Sequence, residues 1–297
     1  MELADSADAS VDVQNPSASG ALRYWRRFAR RPVNLAGAII FLVFVVLVVA
    51  GPAVAPYGPN DQVPKDRLTV PSLRHPFGTD QFGRDILSRI IVGTRTVFIL
   101  SGLGTLIALA VGTPLGMFSG YRGGLTDEVI MRALDILLSI PSLIFALVLL
   151  AALGPSEANL VIVLLLLYAP IIARISRSIT LDLKNKEFVE AARVRGEGGS
   201  YIFFREILPG AMGPLVVEGS MRFSYAIFLV ASLGFLGLGV QPPSPDWGLQ
   251  INEARDYFAL APWTLLFPAA AIALLVISTS LTSDGLRQVL QPERGGL

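Results

Sequence analysis

The chain has 297 residues, 53% of them hydrophobic and 16% charged, with a mean hydropathy of +0.59 and a formal net charge of +1. Soluble domains carry about 25% charged residues, so this composition predicts a membrane protein and gives no reason to expect a nucleic-acid partner. With no cysteine and a single histidine, His75, the chain excludes disulfides, thiolate zinc sites and cysteine nucleophiles.

In chain order, a polar tail over residues 1–34 ends in the basic flank "RYWRRFARRP" and meets a first apolar run at 35–55. The flank and the "AVA" at 53–55 resemble a secretory signal. The run, however, exceeds the roughly 7–15 residues of such a core, and a polar stretch precedes the flank. It is read as an uncleaved transmembrane anchor. A polar segment, 56–93, follows. Runs that approach or reach the length needed to cross a bilayer, about 20 residues, then lie at 96–117, 129–153, 159–173, 213–238 and 263–281. The expectation is an all-α polytopic protein with six transmembrane helices.

Orientation follows from lysine and arginine, which accumulate on the cytoplasmic side. With the N-terminus inside, the inner segments hold Arg23, Arg26, Arg27, Arg30, Arg31, Arg122, Arg132, the seven basic residues from Arg174 to Arg205, Arg222, Arg287 and Arg294. The outer segments hold Lys65, Arg67, Arg74, Arg84, Arg89, Arg95 and Arg255. Seventeen against seven predicts that both termini are cytoplasmic and that 56–93 is extracytoplasmic.

Within the second span, Gly104, Ala108, Gly112, Gly116 and Gly120 recur every four residues. In lipid, such a ridge lets two helix backbones approach closely, so these positions predict a packed helix–helix contact. Pro114, Pro141 and Pro170 are expected to bend their helices. Asp135 with Arg132, and Glu218 with Arg222, are placed near the cytoplasmic ends of their spans, which leaves the span centres electrically inert. No midplane carboxylate is expected to carry protons. No G-x-x-x-x-G-K-[ST], G-x-S-x-G or zinc-ligand spacing occurs. An ion-driven carrier and a membrane hydrolase are therefore poor readings, and energy for transport must come from outside the chain.

Residues 186–210, "KEFVEAARVRGEGGSYIFFREILPG", break this apolar background. Glu187, Glu190 and Arg193 share one helix face, with Phe188, Ala191 and Ala192 on the other. Gly196 suits the left-handed residue that ends a helix. Ser200 suits the N-cap of a second short helix, and Pro209 its end. The expected product is a helix–turn–helix knob that presents an amphipathic face to a groove; an interfacial helix lying on lipid is the alternative.

The stretch "EAARVRG", with Leu208 and Pro209 thirteen residues after Gly196, resembles the EAA loop of ABC-importer permeases. "HPFGTDQFGRDILSRIIVGTR" (75–95), "GYRGGLTDEVIMRALDILLSIPSL" (120–143), "FLGLGVQPPSPDWG" (235–248), "NEARDYFALAPW" and "DGLRQVLQP" resemble the C-type permease of the family's peptide and nickel branch. The resemblance implies a type I importer (MetI-like) fold with cytoplasmic coupling helices. It implies a first anchor at 35–55, a five-helix core over 94–283 with the coupling loop at 182–210 and an outer loop at 239–261, and a cytoplasmic tail at 284–297. It further implies residence in a bacterial or archaeal cytoplasmic membrane. The implied partners are the lipid bilayer, a second homologous permease, two ATP-binding-cassette ATPases and an extracytoplasmic binding protein. ATP and magnesium would sit on the ATPases, with no cofactor or metal on this chain.

Carried over residue by residue, Glu190, Ala191, Ala192, Gly196, Leu208 and Pro209 match the coupling motif. Glu190 and Arg193 are expected to make polar contacts in the ATPase groove, with Ala191 and Ala192 as the close-packed face. Asp246, Trp247, Gly248 and Arg255 fall in the segment that the family places near the outer gate. There, residues 247–258 are read as an interfacial helix with Trp247, Ile251, Ala254 and Phe258 inward and Trp247 anchored at the headgroups. The chain departs from the family pattern at Arg195, Glu206 and Gly210, which leaves the contact map at the ATPase groove open; compensating charges on the ATPase are one way to meet these departures. Cargo by resemblance is di- or oligopeptide, with a nickel chelate as the alternative.

Overall fold

Pro32 stands in the first turn of the first long helix, where a residue without an N–H breaks no intrahelical hydrogen bond. The computed structural model describes Phe28 and residues 31–290; most of the expected tail at 1–34, with Arg23, Arg26, Arg27 and Arg30, lies outside them, as does Arg294. The helices are α1 (Pro32–Val54), α2 (Ile86–Arg122), α3 (Gly124–Leu138), α4 (Ser142–Leu153), α5 (Glu157–Leu183), α6 (Glu187–Val194), α7 (Gly199–Phe235), α8 (Trp247–Ala254) and α9 (Trp263–Leu290). Asp85, Ser156 and Asp246 cap α2, α5 and α8 by accepting from the N–H groups of Ser88, Asn159 and Leu249.

Five of these, α1, α2, α5, α7 and α9, are each long and apolar enough to cross a membrane. The third expected span is not one helix. Its halves, α3 and α4, meet at 82°. Pro141 at the junction is extended, with ψ 126°, and it also pushes Ile140 out of helical geometry. The 12 residues of α4 rise only about 18 Å, so a sixth crossing exists only if the bent pair acts together. Pro114 and Pro170, in contrast, lie inside unbroken helices.

Three boundaries also move. Helix α2 begins at Ile86, inside the segment expected to be loop up to residue 93, because Asp85 caps it and Ile86 and Ile90 are buried. Helix α5 continues ten residues beyond 173 to Leu183. Its added turns place Arg174 beside Asp135 and Arg177 against Asp127 at 2.5 Å. Asp135 is thus paired across helices, and Arg132 pairs instead with Glu128. Helix α9 runs to Leu290, past the expected core boundary at 283.

The centre of the bundle is the contact of α2 with α5. A Cβ on Gly104 would strike Leu164, one on Gly112 would reach Ala169 O at 2.5 Å, and one on Gly116 would strike Ala173 O; Ala108 is fully buried between them. Around this seam α4 and α7 complete one apolar core, including Leu150, Leu160, Val230 and Leu233. A second core joins α1, α2, α8 and α9 through Phe44, Val97, Trp247 and Leu275.

Glu218 and Arg222 pair at 2.6 Å on α7, with Glu218 buried.

Candidate functional site

The chemistry-bearing segments gather at the two ends of the bundle, a knob formed by α6 with the start of α7 and a cap formed by residues 56–85 with α8. In the knob, Gly196 adopts φ +81°. Its N–H donates to Arg193 O at 2.9 Å, and that of Glu197 donates to Ala192 O at 3.1 Å. These two bonds close the helix C-terminus in the Schellman pattern. A Cβ on Gly196 would meet nothing within 4 Å, so glycine is required here by conformation and not by space.

The second half of the knob differs from expectation. Gly198, and not Ser200, precedes α7, with no side-chain cap. Pro209 does not end the helix, which continues to Phe235. Ile202–Ile207 is a π-helical turn in which Leu208 N–H reaches back five residues to Phe203 O. This widened turn makes room for the proline ring, which a regular turn would press against the carbonyl four residues earlier.

The faces of α6 are also partly exchanged. Val189 and Ala192 are fully buried, packed with Met117, Ile202, Ile207, Ala211 and Leu215. Ala192 therefore seats α6 on its own chain, and cannot be part of an outward close-packed face. Phe188, Ala191 and Val194 remain on the surface, Val194 at 84% exposure, and Phe204 of α7 is exposed as well. Glu187, Glu190 and Arg193 are exposed and have no side-chain ion-pair partner among the described residues. Leu208 is half-buried on the same inner core as Ala192.

Two of the unusual residues, Arg195 and Glu206, lie 3.7 Å apart across the turn. Arg195 also faces Glu197 at 3.9 Å, so these charges meet within the chain. Eleven residues separate Arg195 from Glu206 with no helical register in common, so spacing gave no signal. Lys184 Nζ donates to Gly120 O at 2.8 Å, fixing the end of α5 to the last turn of α2.

At the cap, Arg84 reaches Asp80 at 2.5 Å and Glu253 of α8 at 2.5 Å. Arg89 is 1% exposed and donates to Pro59 O at 2.9 Å and Ser244 O at 3.3 Å. His75 Nδ1 lies 2.9 Å from Asp85 Oδ1, so the same carboxylate that caps α2 also holds the loop. Trp247 is fully buried, and its indole N–H donates to Ile90 O at 3.0 Å. It is thus a joint between α8 and α2 and not a headgroup anchor. Helix α8 ends at Ala254, leaving Phe258 exposed where an inward position was expected, while Ile251 is half-buried and Ala254 buried.

Asp246 and Gly248 are buried with Trp247, and a Cβ on Gly248 would strike Ala231 O. Burial pushes the Asp246 carboxyl up to about 6, against the opposing pull of the Leu249 and Gly248 N–H groups and Arg89. Of the four residues expected at the outer gate only Arg255 is exposed, with its guanidinium 5.9 Å from the Phe235 ring centroid. Among the described residues no group of three or more His, Asp or Glu side chains is placed to hold a metal.

Residues 112–295, which include the whole knob, match the family described as "Binding-protein-dependent transport system inner membrane component". The chain belongs to this family of transport permeases. Residues 22–71 match a second description, "N-terminal TM domain of oligopeptide transport permease C". The permease is 40% identical to the glutathione transport system permease GsiD of Pectobacterium atrosepticum, covering 91% of this chain and 90% of that one. It is 37% identical to the di/tripeptide permease DppC of Pseudomonas aeruginosa, covering 99% and 97%. To the dipeptide permease DppC of Alkalihalophilus pseudofirmus it is also 37% identical, covering 91% and 88%. A chain of the MetNI methionine ABC transporter, solved in inward-facing conformations, superposes with a TM-score of 0.57 at 18% identity, over 69% of the permease and 97% of that chain. The fold is thus that of an ABC-importer permease. The permease is an inner-membrane transport component, and systems of this family join such a component to ATPases and a substrate-binding protein.

Proposed function

We propose that this permease forms half of the path by which di- or oligopeptides enter the cell. The observation that carries this reading is its similarity to di/tripeptide and glutathione permeases over 88–97% of their lengths. In this reading a second, homologous permease supplies the other half of the path, and two ATPases bind and hydrolyse ATP with magnesium. The excess of arginine and lysine around α3, α5 and α6 supports a cytoplasmic knob and cytoplasmic termini. The cap then faces the extracytoplasmic binding protein.

Coupling follows from the knob's surface. Phe188, Ala191 and Val194 offer an apolar strip flanked by Glu187, Glu190 and Arg193, the composition of a helix that seats in a groove. Closure of the ATPases on their nucleotide moves this strip. Because Ala192 and Val189 root α6 in the ends of α2, α5 and α7, the displacement passes to the spans and exposes the path to the other side.

The test is uptake in proteoliposomes that contain the permease with its partner subunits and binding protein. Labelled dipeptide should accumulate only with ATP and binding protein, and an ionophore should not abolish it. Uptake without nucleotide, or of a nickel chelate in place of peptide, would overturn the reading.

A further inference from the structure

Arg222 lines a cavity of about 290 Å³ between α4, α5 and α7, close to the lower size limit of small-ligand sites, about 300 Å³. Its Nε donates to Glu218 Oε1 at 2.6 Å, and its guanidinium carbon lies 5.1 Å from the Tyr225 ring centroid. The two Nη groups have no partner among the described residues. A guanidinium is a planar fork able to hold a carboxylate with two parallel bonds. An arginine retained only for structure on an apolar helix would be expected to spend that edge on a carboxylate or on backbone carbonyls. Glu218 takes one corner of the fork and leaves the rest open. Four hydroxyl groups line the same cavity; that of Ser232 donates to Phe228 O, while those of Ser142, Tyr168 and Tyr225 have no hydrogen-bond partner among the described residues.

We infer that this cavity is a carboxylate site, in which the Nη edge of Arg222 receives the C-terminal carboxylate of a peptide in transit and the Tyr168 and Tyr225 hydroxyls donate to it. The inference rests on the peptide reading above. A C-terminal carboxylate is common to peptides of every sequence, so a site that reads it tolerates any side chain. Glu218 cancels most of the arginine's charge over distance. Capture is therefore weak, as a path that must also release its cargo requires.

The experiment uses the complete transporter in nanodiscs, without the binding protein, so that the latter's selectivity does not enter. A photoreactive dipeptide with a free C-terminus and the same dipeptide as its C-terminal amide are crosslinked, and labelled segments of α5 and α7 are mapped. The free carboxylate form should label the cavity about tenfold more than the amide, the scale of one charge-assisted pair. Arg222→Lys, which keeps the charge and removes the fork, should bring the two forms within about twofold of each other. Equal labelling of both forms by the unaltered transporter, absence of labelling by the carboxylate form, or an unchanged ratio in the variant would each overturn the inference. A purely structural Arg222 would change both forms together and leave their ratio intact. If Arg222→Lys fails to assemble, Tyr168→Phe carries the test: it should lower the ratio about threefold, roughly one hydrogen bond, and an unchanged ratio refutes the site. Peptide uptake by the unaltered transporter with its binding protein is measured in parallel. Its absence refutes the cargo reading, whereas uptake with no carboxylate preference in the cavity refutes only this site.

Discussion

At the cap, Arg84 and Arg89 are buried and share Asp80 and Glu253, while at the knob Glu187, Glu190 and Arg193 stand in solvent with no ion-pair partner among the described residues. The same residue types are spent in opposite ways. Charges removed from water must be satisfied inside the chain, and once satisfied they hold the elements that carry them in one arrangement. Charges left in water cost little and remain available to another surface. The cap therefore reads as a fixed joint between the 56–85 segment, α2 and α8, and the knob as a surface whose charges remain in solvent.

The largest test of this contrast is at Arg84. Arg84→Ala leaves Asp80 and Glu253 without their nearest cation, and should lower stability by about 3–5 kcal/mol, the cost of breaking a buried pair from one side. Thermal unfolding in detergent measures it. Glu190→Ala at the knob should shift the same midpoint by no more than the scatter of the measurement, since its carboxylate is exposed. If the two changes were equally damaging, the contrast between the ends would be wrong.

Next in size is the pH response of the cap. Asp246 holds its proton to about pH 6 when folded, against about 3.9 in an unfolded chain. Between those values the folded chain binds a proton that the unfolded chain has released. The contribution of this group is therefore most favourable below about pH 4 and falls as pH rises towards 6, by on the order of 2–3 kcal/mol at neutral pH. Unfolding midpoints of the Asp246→Asn variant, followed from pH 4 to 7, should lack this decline.

A smaller effect on stability, with a larger one on coupling, is expected at Gly196. A side chain at φ +81° costs about 1–2 kcal/mol of local strain, felt only in the knob. Gly196→Ala should reduce uptake several-fold more than it reduces ATP hydrolysis by the assembled transporter. Parallel losses in both activities would place the glycine's role in assembly instead. The smallest effect belongs to Arg195 and Glu206, a pair at the surface whose removal is worth under about 1 kcal/mol. Exchanging the two charges in one variant should restore whatever uptake either single reversal loses, because the pair is internal to the knob.

Several features were legible along the chain because they depend on neighbours in sequence. Apolar runs marked α1, α2, α5, α7 and α9 because a span in lipid must satisfy its own backbone. Glycine at 196 marked a helix end because its conformation is a local property. What the chain order could not give were the separations that folding closes: Arg84 to Glu253 across 169 positions, Trp247 to Ile90, and Arg195 to Glu206 around a turn whose geometry is set by a π-helical step.

By itself, then, the amino-acid order determined which segments leave water, where the small-residue ridge of α2 runs, and that a charged, glycine-broken stretch interrupts the apolar runs at 186–210. These follow from hydropathy and from short-range stereochemistry. Only the tertiary structure decided that Ala192 faces inward and Val194 outward, that the third span is a bent pair, and that Arg222 stands beside a cavity. Each of those depends on which surfaces pack together, and packing is a property of distant segments brought into contact.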